Sequence, residues 1–332
     1  MTGAVVRSDG APEPAAGKRP LISIAIPVFN EERNVLPAYE AVLSVFESLP
    51  RYEIEFVFTD NHSSDGTFAR LTELALRDPR VKVLRFNRNY GFQRSLLTAY
   101  RHVRGDAAIQ LDCDLQDPPS LIPEFVALWE QGHDVVVGVR RHRVEPKTLT
   151  LARRAFYALL NLISDDQLTA DAGDFRLIDR TILDQVRAIF DVNPYMRGLT
   201  SSLALREGTI PYDRRPRQHE KSKFPVRRLF RFAIDGIVGH SIVPLRFASY
   251  IGVLVSVLTF ALSGFYLVGA LLFGSDWPSG FATTTVLLLF SVSLNAIFMG
   301  ILGEYISRIY QQVRQHPLVV IEKGINIVPE GR

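Results

Sequence analysis

From residue 21 the chain alternates between short apolar runs and longer stretches with helical periodicity. The apolar runs fall at 21–28, 53–59, 81–86, 107–111 and 134–139, and the helix-like stretches near 31–48, 66–77, 92–103 and 119–131. Strands alternating with helices in this way predict βαβ units and an α/β fold with a mainly parallel sheet. Ser63, Ser64 and Asp65 stand where they can cap the second helix, and Pro118 and Pro119 suit the entry to the fourth. Polar residues collect just after the strands: Asn30 and Glu31, Asp60, Asn87 and Arg88, Asp112 and Asp114, then Arg140 and Arg141. In an open parallel sheet the carboxyl ends of the strands form the ligand crevice. Five strand ends therefore direct polar groups at one place.

Toward the carboxyl end the pattern changes. Residues 247–273 and 277–303 contain no charged side chain, and a hydrocarbon core is crossed by roughly 20 apolar residues in a helix. Two transmembrane helices are expected, at 247–273 and 281–303. Before them, 223–244 carries Val226, Phe230, Ala233, Ile234 and Ile237 on one helical face, opposite Arg228, Arg231 and Asp235. That is an amphipathic helix suited to membrane lipids at the interface, with packing on the soluble domain as the alternative. The linker 274–280 has one acid and no Lys or Arg, whereas Arg227, Arg228, Arg231 and Arg246 precede the first span and Arg308, Arg314 and Lys323 follow the second. The positive-inside rule puts both termini and the α/β domain on the cytoplasmic side of a multi-pass inner-membrane protein. Residues 304–332 form a cytoplasmic segment in which 317–328 reads as a short hairpin turning near Lys323 and Gly324.

Composition adds little to this picture and removes some readings. Residues 1–20 hold Pro12, Pro14, Gly17, Lys18 and Arg19 without an apolar core, which predicts a disordered tail rather than a secretory signal. The single cysteine, Cys113, rules out an intrachain disulfide and fits a reducing compartment. A net charge of +3 over 332 residues gives nucleic-acid binding no support.

The segment with the most chemistry is 112–119, DCDLQDPP, directly after the apolar run AAIQL. Asp112 and Asp114 flank one residue, so both can approach a single hard cation at a strand end. Mg²⁺ or Mn²⁺ takes oxygen ligands and commonly completes its shell with substrate phosphates, and there it would neutralise a diphosphate leaving group. Surface loops also produce D-x-D by chance; its place after a central strand, followed by Gln116, Asp117 and two prolines, distinguishes this one.

With these motifs the chain resembles the inverting family 2 glycosyltransferases of GT-A fold that attach sugars to polyprenyl phosphates, a group that includes dolichyl-phosphate mannose synthase and bactoprenol glucosyltransferases. The resemblance spans 21–325, so that 21–222 would be a cytoplasmic GT-A domain. It is carried by IPVFNEERN at 26–34, TDNHSSDGT at 59–67, NRNYGFQRSLLTAY at 87–100, DCDLQDPP at 112–119, GDFRLIDR at 173–180 and KSKF at 221–224. It implies transfer of one sugar from a UDP- or GDP-linked donor to a polyprenyl phosphate, for cell-envelope glycan or glycolipid modification.

The resemblance also implies roles. Pro27, Asn30, Glu31, Asp60, Asp65, Arg88 and Asp112 would bind the donor, and Asp112, Asp114 and Gln116 would hold or support the metal, with Asp114 the direct ligand and a catalytic residue. For Asp65 a helix cap is an equal alternative. A lipid phosphate is largely anionic at neutral pH, by analogy with phosphorylated side chains, so it needs cations more than a base. Arg140, Arg141, Arg153, Arg154 and Arg176 are the candidates. Asp174 matches the family's catalytic aspartate; its alternative is an ion pair with Arg176 or Arg180. His62 replaces a common glycine of the nucleotide loop, Glu220 and Lys221 stand where relatives have Gly-Glu, and Ser202 and Ala204 where relatives often have Trp and Gly, which bears on base and sugar specificity. Relatives further suggest a homotetramer. Competing readings are a processive polysaccharide synthase, which would carry Q-x-x-R-W and more spans, and a non-catalytic membrane scaffold, which would have lost Asp112 and Asp114.

Overall fold

The computed structural model describes residues 19–141, 172–189, 191–192, 194–214, 243–273, 280–314 and 317–327. The chain divides into two compact units. Met1–Thr150, Gln167–Lys221 and His316–Arg332 form the first, and Leu151–Asp166 with Ser222–Gln315 the second.

The first unit is built on an eight-stranded sheet. Its strands are β1 (Leu21–Val28), β2 (Glu53–Asp60), β3 (Val81–Phe86), β4 (Ala107–Gln110), β5 (Val135–Arg140), β6 (Ala172–Asp179), β7 (Glu207–Tyr212) and β8 (Ile321–Ile325), in the order β7-β5-β6-β4-β1-β2-β3-β8. Pairings β1–β2, β1–β4, β2–β3 and β5–β7 are parallel, while β3–β8, β4–β6 and β5–β6 are antiparallel. This is the α/β, mainly parallel GT-A arrangement expected from the sequence.

The central strands are mostly apolar because helices cover both faces, and the buried exceptions Ser23, Glu55 and Lys82 bond to one another across β1, β2 and β3. Ile22, Ile24, Ile26, Phe56 and Phe58 pack into one core layer with Val35, Ala38, Val42 and Phe46 of α1 (Val35–Glu47) and Leu71, Leu74 and Ala75 of α2 (Thr67–Arg77). On the other face Ala25, Val57 and Leu84 meet α3 (Phe92–His102) and α5 (Arg180–Ala188). A 3-10 turn at Pro119–Leu121 leads into α4 (Ile122–Glu130), as Pro118 and Pro119 predicted. Helix α6 (Met196–Leu203) precedes β7.

Pro27 would be out of place in a central strand, since it cannot donate to a ladder. It lies beyond the last β1–β4 pair, Ala25 with Gln110, where β1 keeps only β2 as a ladder partner. The crevice opens there, between the diverging ends of β1 and β4. The antiparallel β6 brings its amino end to the same place: Gln110 pairs with Arg176, so Asp112 and Asp174 leave the ladder side by side.

Segment 317–328 differs from its expected hairpin. Among the described residues it contributes one strand, β8, laid antiparallel on β3, and Leu318 packs into the core while Asn326 Nδ2 donates to the carbonyls of Ala75 (2.7 Å) and Val81 (2.9 Å). Bonding to β3 replaces the self-pairing that a turn at Lys323–Gly324 would have required.

The second unit contains two long helices, α7 (Val243–Phe273) and α8 (Phe281–Val313), of 31 and 33 residues. Among the described residues one stretch, Phe290–Val313, is long and apolar enough to cross a membrane, with mean hydropathy 1.3 and none of it buried inside the protein; Phe247–Leu262 is a shorter apolar helix. The tail 1–18, the amphipathic segment 223–242 and the KSKF motif lie outside the described residues.

Candidate active site

At the carboxyl ends of β1 and β4 a cavity of about 300 Å³ is lined by Pro27, Val28, Phe29, Glu31, Asn61, Asn89, Gly91, Phe92, Asp112, Cys113 and Asp114. Of the expected site residues it gathers Pro27, Glu31, Asp112 and Asp114. Asn61, Asn89, Gly91 and Phe92 are additions. Asn61 neighbours Asp60, and Asn89 and Gly91 belong to the NRNYG motif, so the signal was in the sequence, although no role was drawn from it.

Asp112 and Asp114 face this cavity because the chain reverses after them: Leu115 takes a φ of 54°, and the Gln116 amide donates to Asp114 Oδ1 at 3.2 Å. A left-handed leucine is strained, and such strain persists where surrounding structure imposes it. Asp112 Oδ1 is buried without a hydrogen bond. Burial, then the charges of Asp174, Asp117 and Asp114, push the Asp112 carboxyl up to about 7. Arg214 opposes this rise without cancelling it. Two acidic oxygens converging on one cavity, one of them unpartnered, fit a hard divalent cation that takes its remaining ligands from phosphate and water. Among the described residues no cluster of three or more acidic, His or Cys side chains is arranged for a metal. Gln116 is buried, two residues from Asp114, and is not among the cavity-lining residues.

The loops beside the cavity are tied to one another. Asn30 (φ 57°) donates its amide to Ser63 Oγ at 2.9 Å and accepts the Ser64 amide on Oδ1 at 2.8 Å. Asp60 is fully buried; Oδ1 accepts the Ser63 amide at 3.0 Å, and Oδ2 lies 3.5 Å from Arg85 Nη1 without a hydrogen bond. His62 has a φ of 62°, and its Nδ1 lies 3.0 Å from the Phe86 carbonyl. Glycine adopts such a left-handed turn freely, and histidine is one of the side chains tolerated in it.

Asp65 stands just before α2, whose N-cap is Gly66, and accepts the Thr67 amide (3.0 Å) and hydroxyl (2.5 Å) on Oδ1 and the Glu32 amide on Oδ2 (3.3 Å). Burial opposes its ionisation, but these hydrogen bonds outweigh it and hold the carboxyl below its ordinary value. Asp65 also lines a second, open cavity of about 720 Å³ with His62, Ser63, Ser64, Phe68 and Arg85. Arg88 is exposed and stacks over Tyr90, 4.8 Å from the ring centroid.

On the β6 side, Asp174 forms a two-pronged ion pair with Arg197 of α6, with Nε donating to Oδ1 at 2.6 Å and Nη2 donating to Oδ2. The expected partners were Arg176 and Arg180; Arg180 instead pairs with Asp184 at 2.9 Å. Burial disfavours the Asp174 charge, yet Arg197, followed by Arg176 and Arg140, keeps the carboxyl below the usual range. Arg176 is fully buried and donates to the carbonyls of Gly173 (3.1 Å) and Arg197 (3.2 Å) and to Thr200 Oγ1. It braces the Asp174–Arg197 pair from inside and is closed to an incoming phosphate. Arg140 is mostly buried, with Nη2 3.6 Å from Asp117 Oδ2 and Nε donating to Tyr212 Oη at 3.3 Å; Arg214 Nε lies 3.3 Å from Asp117 Oδ1. Arg141 is exposed. Arg153 and Arg154 lie outside the described residues.

Residues 23–187 match glycosyl transferase family 2. The uncharacterized glycosyltransferase YkcC of Bacillus subtilis is 34% identical over 307 residues, covering 92% of this chain and 94% of that protein. The SfII prophage-derived bactoprenol glucosyl transferase of Shigella flexneri is 35% identical over 304 residues, covering 91% of this chain and 98% of that protein. Among solved structures, the mannosyltransferase PcManGT from Pyrobaculum calidifontis in complex with GDP-Man and Mn²⁺ is 17% identical, with a TM-score of 0.47, covering 93% of this chain and 91% of that one. A strand-end crevice lined by aspartates and full-length likeness to sugar-transferring proteins define the class, a glycosyltransferase. The chain belongs to glycosyl transferase family 2.

Proposed function

We propose that the protein transfers one sugar from a nucleotide-diphospho-sugar, UDP-glucose-like or GDP-mannose-like, to a polyprenyl phosphate at the cytoplasmic membrane face, with inversion at the anomeric carbon. The observation that carries this reading is the unpartnered, buried Oδ1 of Asp112 beside Asp114 in the strand-end cavity. The acceptor class follows the bactoprenol-named relative.

Pro27, Asn30, Glu31, Asp60, Asp65, Arg88 and Asp112 are the donor-binding set, in which Glu31 lines the cavity directly and Asn30 and Asp65 fix the loop around it. The amino end of α3, at Gly91 and Phe92, lines the same cavity, and a helix start carries partial positive charge suited to phosphate oxygens. Asp112, Asp114 and Gln116 would hold Mg²⁺ or Mn²⁺, which when bound supplies charge neutralisation for the departing diphosphate.

On the acceptor side, Arg140, Arg141 and Arg153 would hold the lipid phosphate, with Arg176 acting behind them through Arg197. The phosphate is already largely anionic, so Asp174 has little need to remove a proton. Kept ionised by Arg197, it fixes that guanidinium at the crevice, where an acceptor oxygen can share it while attacking the anomeric carbon opposite the leaving diphosphate. The apolar helices α7 and α8 would be two membrane spans that keep the domain beside its lipid substrate.

The test uses purified full-length protein with polyprenyl phosphate and radiolabelled UDP-glucose, UDP-N-acetylglucosamine or GDP-mannose. Label is expected in the organic phase with Mg²⁺ or Mn²⁺. EDTA or Asp114→Ala should reduce it at least 100-fold, on the scale of losing a main transition-state charge contact. Absence of both transfer and nucleotide binding across the donor panel overturns the reading.

A further inference from the structure

The last strand of the chain reaches the loop proposed to hold the donor. β8 pairs with β3 in a register that sets Lys323 opposite Arg85 and Ile321 opposite Phe86, with an irregularity between those two pairs. The Asn87 amide donates to the Val320 carbonyl at 3.1 Å, so the start of the NRNYG loop is also anchored to this terminal segment. From β8, Glu322 Oε2 lies 3.6 Å from Arg85 Nε and 3.7 Å from His62 Nδ1. Arg85 is held on three further sides: Asp60 Oδ2 at 3.5 Å, the Ser63 carbonyl at 3.5 Å, and the Phe68 ring, whose centroid is 4.5 Å from the guanidinium carbon. Lys323 approaches the same ring at 5.8 Å.

One guanidinium thus stands between two carboxylates at nearly equal distances. Asp60 is fully buried at the end of β2, and its Oδ2 has no hydrogen bond. Glu322 is 40% exposed on the edge strand. The loop between them carries His62 in a left-handed conformation, which contacts outside the loop must maintain. We infer that Glu322 is a positioning residue for the donor site: by sharing Arg85 with the buried Asp60, and by facing His62, it sets the 60–65 loop, whose residues 62–65 line the open 720 Å³ cavity together with Arg85. The inference rests on the donor-binding role proposed for Asp60. If Glu322 loses its charge, Arg85 is drawn wholly to Asp60, the 62–65 loop loses its contact with β8, and the donor must order that loop as it binds. That penalty falls on donor binding and leaves the bond-breaking step alone. The chain thereby returns, after its last long helix, to complete the nucleotide loop.

The experiment compares wild type, Glu322→Gln and Glu322→Asp as full-length protein in lipid nanodiscs containing polyprenyl phosphate. It measures kcat, donor KM, the ionic-strength dependence of KM and the melting temperature. Glu322→Gln is expected to raise donor KM about threefold to fivefold, the scale of a half-exposed ion pair. Its kcat and melting temperature should stay at wild-type values, its KM should respond less to salt, and Glu322→Asp should recover part of the affinity. An unchanged KM in Glu322→Gln overturns the inference, as does a rise in KM accompanied by a matching loss of melting temperature. A wild-type protein that uses no nucleotide sugar overturns the donor-site reading itself, and this inference with it.

Discussion

Asp112 shows at the level of one side chain how the site trades stability for function. Its pKa is raised by burial and then by Asp174, Asp117 and Asp114, from an ordinary 3.8 to about 7. A carboxyl raised on folding destabilises the fold increasingly as pH climbs above the unfolded value, and the penalty is complete above the folded one. Asp112→Asn should therefore raise the melting temperature of EDTA-treated protein, more at pH 8 than at pH 5, by an amount corresponding to a few kcal/mol, while abolishing transfer. Scanning fluorimetry at the two pH values checks this; a variant less stable than wild type at pH 8 would mean that Asp112 already has a counter-charge. Mn²⁺ should stabilise wild type and leave the variant unmoved, since a ligand stabilises only the state that binds it. Asp174 is the complementary case, kept charged by Arg197. Its motif was legible in GDFR. Its partner was not, because Arg197 lies on a separate helix, 23 residues on, and no spacing rule links a strand end to a side chain delivered by tertiary packing.

Elements were legible in proportion to their burial. The apolar runs at 21–28 and 81–86 coincide with β1 and β3, β2 and β4 differ from their runs by one residue at one end, and β5 is shifted by one residue at both ends, because strands covered on both faces are predominantly apolar. β6 was missed as a strand: AGDFRLID buries Asp174, Arg176 and Asp179 in ion pairs and hydrogen bonds, which reads as loop chemistry. β7 (EGTIPY) buries only alternate residues and includes Pro211, as a sheet-edge strand can. β8 (IEKGI) is largely exposed on the opposite edge. At the end of the sheet away from the site, Gly105 precedes β4 in a space closed to any side chain: a Cβ there would lie 2.6 Å from the Ala107 carbonyl, 2.6 Å from Ser23 Oγ and 2.7 Å from the Leu21 carbonyl. Gly105→Ala should cost about 1–3 kcal/mol, as overpacking does, and lower the melting temperature while leaving kcat and both KM values of the folded fraction unchanged. A change in donor KM would show that strain at this end is transmitted along β4 to Asp112.

For the whole molecule the proposed membrane attachment rests on α7 and α8. Length favours two crossings, since helices of 31 and 33 residues span about 46–50 Å at 1.5 Å per residue, more than the ~30 Å hydrocarbon core. Composition is less even: Phe290–Val313 has span-like hydropathy, whereas the apolar part of α7 is the shorter Phe247–Leu262. The proposed orientation rests on charge: 274–280 contains Asp276 and no Lys or Arg, while both flanks are basic. The protein supplies a clean background for testing this. Its only cysteine, Cys113, is buried, and burial, followed by the charges of Glu31, Asp114 and Asp112, raises its thiol pKa well above the ordinary value, so it should stay unreactive. In intact cells Ser275→Cys should react with a membrane-impermeant maleimide, while Gln312→Cys should react only after lysis. Labelling of both from outside would place the end of α8 across the membrane from its expected side. Labelling of neither until lysis would mean that the two helices lie on or within the cytoplasmic leaflet, and the domain would then reach its lipid acceptor as a surface-bound enzyme.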